Sequence, residues 1–225
     1  MKIINRGAQE RWIPLPKWTA TAKMYKDFIG GYLRFRGDLK KMDKWMDKYA
    51  EHKGFRVNPH PMYLTNLKIW IAENQTMYGK RICPCFEATG DSQVDRKLIC
   101  PCSFAEDDIA KTGTCHCKLF ARGDFTDADF IAAEKDLMKE YRIALNLQGN
   151  VLDTRGVPQS ENRQMDVPDP LHQIKQALNQ VSSMPLKVIV EREQSAKNIL
   201  EYAKLKGIQA VYQPYGEAFQ VTIRK

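Results

Sequence analysis

The 225-residue sequence has no cysteine before position 83 and none after 117. It has no run approaching the roughly 20 apolar residues that span a bilayer. Its opening, Met1-Lys2-Ile3-Ile4-Asn5-Arg6-Gly7, runs into Glu10, Arg11 and Pro14 without the apolar core of a secretory signal. These absences predict a cytoplasmic protein. Internal repeats and low-complexity tracts are missing too, and 43% apolar residues exclude a mainly disordered chain. Cysteines scattered to staple distant segments would suit an extracellular scaffold. Here all six fall within 35 residues, Cys83 to Cys117, which points to metal binding or redox chemistry in a reducing compartment.

The net charge of +8 is uneven. Residues 1–82 hold 17 Lys/Arg against 7 Asp/Glu, residues 83–149 hold 8 against 12, and residues 150–225 hold 10 against 8. A basic first third could bind nucleic acid or steer an acidic protein partner, and a plain solvated lysine-rich helix surface accounts for it at least as well as either. Nucleic-acid binding is the weakest of these, because the aromatics in that region fall largely at helix-core spacing. The expectation is therefore no nucleic acid and no membrane.

Trp12, Pro14, Pro16 and Trp18 suggest an extended arm, and 1–37 reads as an N-terminal extension with an apolar patch from Tyr25 to Phe35. From Asp38, the recurrence of Leu39, Met42, Met46 and Tyr49 predicts an amphipathic helix ending near Gly54. After the breaker Asn58-Pro59-His60-Pro61, a second helix is predicted over about Met62–Tyr78, burying Leu67, Trp70 and Ile71 and stopped by Gly79. The cysteine segment is dense in turn residues. Thr126 with Asp129 reads as the cap of a helix burying Phe130, Leu137 and Tyr141. Near 147–150 the character changes. Val151-Leu152 reads as a strand, 156–170 as a polar loop, and Leu171, Ile174, Leu178 and Val181 as one helical stripe. A strand Leu186–Val190, a helix Ser195–Lys206 capped by its serine, and a hairpin around Tyr215-Gly216 follow. The predicted class is α+β: a mainly helical domain with cysteine-bearing loops over 38–147, then a two-layer βαβαββ domain over 150–225.

The cysteines form three pairs, Cys83-Pro84-Cys85, Cys100-Pro101-Cys102 and Cys115-His116-Cys117, separated by 14 and then 12 residues. Structural zinc sites favour wider knuckles and use four ligands. The Cys-x2-Cys-x2-Cys run of bacterial ferredoxins is absent, and one [4Fe–4S] cubane takes four thiolates, not six. Two cysteines remain over. A spare pair beside an iron–sulfur centre is a dithiol/disulfide in contact with its electron source, and the prolines stiffen two of the turns. A purely structural zinc or cluster site is the alternative reading, and it leaves two thiols without a purpose.

This triple motif resembles the catalytic subunit of ferredoxin:thioredoxin reductase, in the bacterial or archaeal ferredoxin:disulfide reductase branch. The resemblance covers about residues 40–145 and includes Tyr49-Ala50, Asn58-Pro59, Tyr78-Gly79, Asp95-Arg96-Lys97, Glu106-Asp107 and Leu119-Phe120. It implies a [4Fe–4S] cluster held by Cys83, Cys100, Cys102 and Cys115. It implies an active disulfide between Cys85 and Cys117, with His116 as proton donor and acceptor, a role that suits imidazole near neutral pH. Cys85 is expected to be the more exposed thiol that attacks the substrate disulfide. The implied activity is reduction of a disulfide on thioredoxin or a thioredoxin-like protein with electrons from ferredoxin. A persulfide or heterodisulfide substrate in sulfur metabolism, or a non-catalytic electron-relay subunit of a larger redox complex, are the alternatives.

The C-terminal segment resembles the TusA/SirA-type sulfur-carrier fold through Asp153-Thr154-Arg155-Gly156, Pro168-Asp169-Pro170-Leu171 and Val221-Thr222-Ile223. That family's persulfide cysteine would fall at Val167 or Gln159, and neither is a thiol, so the segment reads as a docking or dimerisation domain. His172 reads as a surface residue.

Overall fold

The longest element is a 37-residue helix, α1 (Lys17–Lys53). In its second half Phe35, Leu39, Met42, Met46 and Ala50 recur at three- and four-residue spacing and are all buried. The expected extended arm gives way to helix: α1 begins at Lys17, far ahead of Asp38, and Trp18 lies within it. Residues 12–16 of that arm lie outside the residues that the computed structural model describes, which are 17–140, 145–156, 170–181 and 183–224. Contacts divide the chain into two compact units, one of Tyr25–Arg142, the other of Ile143–Lys225 joined by the first turns of α1 through Met24.

In the first unit a short strand β1 (Phe55–Val57) leads to α2 (Pro61–Tyr78), which begins on proline and ends at Gly79. Leu67, Ile69 and Ile71 are buried, while Trp70 stays half-exposed. The cysteine segment, expected as turns, contains two helices, α3 (Ser92–Lys97) and α4 (Ala105–Thr112). The Asp91 carboxylate caps α3 by accepting from the amides of Gln93 (2.7 Å) and Val94 (3.3 Å). Three acidic residues, Glu106, Asp107 and Asp108, occupy the first turn of α4, where the helix dipole favours them. Strand β2 (Phe120–Arg122) pairs antiparallel with β1, Phe55 opposite Arg122 and Val57 opposite Phe120. Helix α5 (Asp127–Glu140) starts as expected, with Thr126 and Asp129 bonded reciprocally at 2.9 and 3.2 Å. Phe130 and Leu137 are buried; Tyr141 lies outside the described residues.

The second unit carries a five-stranded sheet of order β3-β4-β5-β7-β6. Its strands are β3 (Leu147–Gln148), β4 (Val151–Asp153), β5 (Leu186–Val190), β6 (Gln209–Tyr215) and β7 (Ala218–Arg224). Strands β4 and β5 are parallel, joined through α6 (Pro170–Gln180), and the remaining pairings are antiparallel. Leu186, Val188 and Val190 share one face of β5, and they pack with Ile174 and Ala177 of α6 and Ala196 and Ile199 of α7 (Glu193–Lys206). Two details depart from expectation. Ser195 is no cap: α7 starts at Glu193 with Arg192 at the cap position, and Ser195 is buried inside the first turn. His172 is buried on α6, not a surface residue. The positions Gln159 and Val167 lie outside the described residues.

Candidate metal and redox centre

Each cysteine pair is aimed by a different local device. The first two are brought together by a single antiparallel bridge, Ile82 opposite Ile99, both flanking cysteines. The Cys83 amide donates to the Leu98 carbonyl (2.8 Å) and the Cys100 amide to the Arg81 carbonyl (2.8 Å), so these two sulfurs start from adjacent backbone. The Asn74 amide on α2 donates to the Ile82 carbonyl (2.9 Å). Beyond the first pair, buried Asp95 accepts from the Thr89 amide (2.8 Å) and hydroxyl (2.9 Å), closing the loop onto α3. The Ala105 amide reaches back to the Cys102 carbonyl (3.0 Å), so α4 opens directly on the second pair.

The third pair sits in a turn between Gly113 and Phe120. Thr114 bridges Ala121, the Cys115 amide donates to the Phe120 carbonyl (2.9 Å), and the Phe120 amide donates to the Cys115 sulfur (3.3 Å). Gly113 has φ +86°, and a Cβ there would lie 2.7 Å from the Phe125 ring, so both backbone and space require glycine. Lys118 closes the turn in the left-handed region, φ +60°. The turn is also gripped from outside. Asn58 donates its backbone amide to the Leu119 carbonyl (2.9 Å) and its side-chain amide to the Lys118 carbonyl (2.8 Å). The Tyr63 hydroxyl donates to the Cys117 carbonyl (2.9 Å).

All six cysteines line one cavity, together with Pro101, Ala105, His116 and Phe120. The sulfurs of Cys83, Cys85 and Cys117 lie within 4.8 Å of one another, and those of Cys115 and Cys117 are 3.8 Å apart. The tightest trio therefore combines one expected cluster ligand with both expected redox thiols, while Cys100 and Cys102 line the same wall. Cys83, Cys100, Cys115 and Cys117 are buried; Cys85 and Cys102 are partly exposed. His116 is half-buried at the cavity, its Nε2 shielded from solvent.

Crowding redistributes the protons. Cys83 is drawn well below the ordinary thiol range by hydrogen bonds from Cys100, Cys102, Cys117 and Cys85. Cys115 is lowered by the Cys117 thiol and the Phe120 amide. Cys117 is pushed up by its bonds to Cys115, Cys83 and Cys85, and Cys100 by its bond to Cys83 and by burial. Burial, then the charges of Cys117 and Cys85, push the Tyr63 phenol up.

A pocket of soft thiol donors, two held toward the thiolate form, with a backbone N–H aimed at one sulfur, is the donor set of an iron–sulfur cluster. Residues 34–144 match the family model of the ferredoxin thioredoxin reductase catalytic beta chain. The match spans just under half of the chain and likens this segment to that catalytic chain. Ferredoxin thioredoxin reductase catalytic chains are oxidoreductases acting on a disulfide and bind a [4Fe–4S] cluster, so the protein is an iron–sulfur oxidoreductase of that class. No curated protein sequence matches the chain significantly. No described helix is long and apolar enough to cross a membrane.

Sequence reasoning passed over the residues that hold the third turn. Asn58 and His60 were legible only within a breaker and, for Asn58, in the family resemblance, while Tyr63 and Glu134 carried no signal, being 54 to 76 positions from what they support.

Proposed function

We infer that the protein takes electrons one at a time from ferredoxin and reduces a disulfide on thioredoxin or a thioredoxin-like protein through Cys85 and Cys117. In this reading Cys83, Cys100, Cys102 and Cys115 hold the cluster, which supplies the one-electron storage that couples a single-electron donor to two-electron disulfide cleavage. With the pair reduced, the Cys85 thiolate attacks one sulfur of the substrate disulfide, forming a mixed disulfide and releasing the first substrate thiolate. Cys117 then attacks the Cys85 sulfur, reforming the Cys85–Cys117 bond and releasing the second thiolate. Two electrons from two ferredoxin molecules and two protons restore the dithiol. His116, between Cys115 and Cys117, supplies and collects protons at these sulfurs.

The observation that carries this reading is the asymmetry of the pair: Cys85 is partly exposed and Cys117 is buried, with their sulfurs inside one 4.8 Å group. An attacking thiol needs access, and a resolving thiol needs only its partner. The test is iron and sulfide analysis of anaerobically purified protein, followed by spectroscopy after alkylating Cys85. The reading expects about four irons per chain and an oxidised cluster signature once Cys85 is trapped. Zinc in place of iron in protein handled without oxygen would end it.

The C-terminal unit is proposed to be TusA/SirA-like and to serve docking, with the βαβαββ order of β4-α6-β5-α7-β6-β7 in its support. A cytoplasmic location belongs to the same proposal, since ferredoxin and reduced thiols share that compartment.

A further inference from the structure

The geometry points to Asn58 and Glu134 as positioning residues for Cys117, a claim that rests on the redox role proposed above. Asn58 is 1% exposed. Its side-chain amide donates to two acceptors, the Lys118 carbonyl (2.8 Å) and Glu134 Oε1 (2.8 Å), and its Oδ1 accepts the His60 amide (2.8 Å). Glu134, itself 7% exposed, is held on its other oxygen by His60 Nδ1 (2.8 Å). Three of the four hydrogen bonds an asparagine side chain can make are thus used: one holds the Lys118 carbonyl next to Cys117, and the other two orient the asparagine.

That carbonyl belongs to the one described non-glycine residue with positive φ, Lys118. A lysine in the left-handed region lies uphill of its ordinary conformations and stays there only where its surroundings over-determine it. Here the over-determination is visible: the Lys118 amide bonds the Cys115 carbonyl (2.9 Å), Asn58 holds the Lys118 carbonyl, and the Asn58 amide holds the Leu119 carbonyl. From the other side, the Tyr63 hydroxyl fixes the Cys117 carbonyl. The peptide units on both sides of Lys118 are therefore pinned, and with them the direction of the Cys117 sulfur toward Cys85. Glu134 matters because it orients the Asn58 amide; it acts through Asn58 and touches nothing that reacts.

Pinning raises the effective concentration of one thiol at the other, and so favours the Cys85–Cys117 disulfide over the dithiol. The test equilibrates cluster-loaded protein with glutathione: dithiol plus glutathione disulfide gives the Cys85–Cys117 disulfide plus two glutathione thiols. The pair is read by alkylation and mass analysis, with iron content measured alongside. Asn58→Ala is expected to lower this equilibrium constant about tenfold, near 30 mV for a two-electron couple, and Glu134→Gln about threefold in the same direction. Adding Lys118→Gly to Asn58→Ala, which relaxes the left-handed position, is expected to recover part of the shift. An unchanged constant in both single variants overturns the inference. If Asn58→Ala loses its iron, Glu134→Gln decides alone. Wild-type protein that shows no two-thiol couple at all sinks the redox reading beneath it, a different and separable result.

Discussion

Replacing Gly113 by alanine tests how the third cysteine pair is held. Gly113 ends α4 at φ +86°, and a left-handed conformation costs a non-glycine residue about 1–2 kcal/mol. The added Cβ would also meet Phe125 at 2.7 and 3.0 Å. That ring cannot simply retreat, because it packs edge-on against fully buried Phe130 at 5.1 Å. Overpacking of this kind costs about 1–3 kcal/mol, giving a total near 2–5 kcal/mol. Gly54 supplies the control: its φ is +67° but a Cβ there meets nothing within 4 Å, so Gly54→Ala carries only the backbone part, about 1–2 kcal/mol. Anaerobic urea unfolding of the cluster-loaded protein measures both. The expected result is a larger loss for Gly113→Ala by about 1–3 kcal/mol, narrowed when Phe125→Leu is combined with it. Equal losses at the two glycines would refute the claim that close packing against Phe125 fixes the entry to Cys115.

Other substitutions separate the roles of the cysteines. Cys85→Ser is expected to abolish turnover while iron and sulfide stay bound, whereas Cys100→Ser is expected to lose the cluster; equal iron loss in both contradicts the division of ligands from redox thiols. His116→Asn is expected to slow disulfide reduction by roughly 10²–10⁴ at pH 7 with the cluster absorbance intact, and a rate within threefold of wild type removes it as the proton carrier. Phe120, 1% exposed and packed against Tyr49 at 4.9 Å and Trp45 at 6.2 Å, is expected to cost about 3–5 kcal/mol on truncation to alanine, measured by the same urea titration.

The sequence made the chemistry legible where it is local. Three cysteine pairs with their intervening proline and histidine residues need no tertiary information to be noticed, and they converge on one cavity. The cap at Thr126 and the stop at Gly79 were equally local signals, and they fall where expected. What stayed hidden depends on partners far along the chain. Gly30-Gly31 lies inside α1, and a Cβ at Gly31 would lie 2.7 Å from the Ile69 side chain, so the small residue serves close helix packing. Ser195 read as a cap because serine often is one, yet its position three residues into α7 leaves that place to Arg192. Nothing in a lone lysine announces the left-handed turn at Lys118. The grip of Asn58 on that turn spans 60 residues of sequence.

The most direct measurement is a thiol count on anaerobically purified, cluster-loaded protein before and after reduction. The account predicts that two alkylatable thiols appear on reduction, at Cys85 and Cys117, while about four irons per chain remain bound. If reduction exposes no new thiol and the iron stays in place, the cysteine pair takes no part in the chemistry and the central claim is wrong.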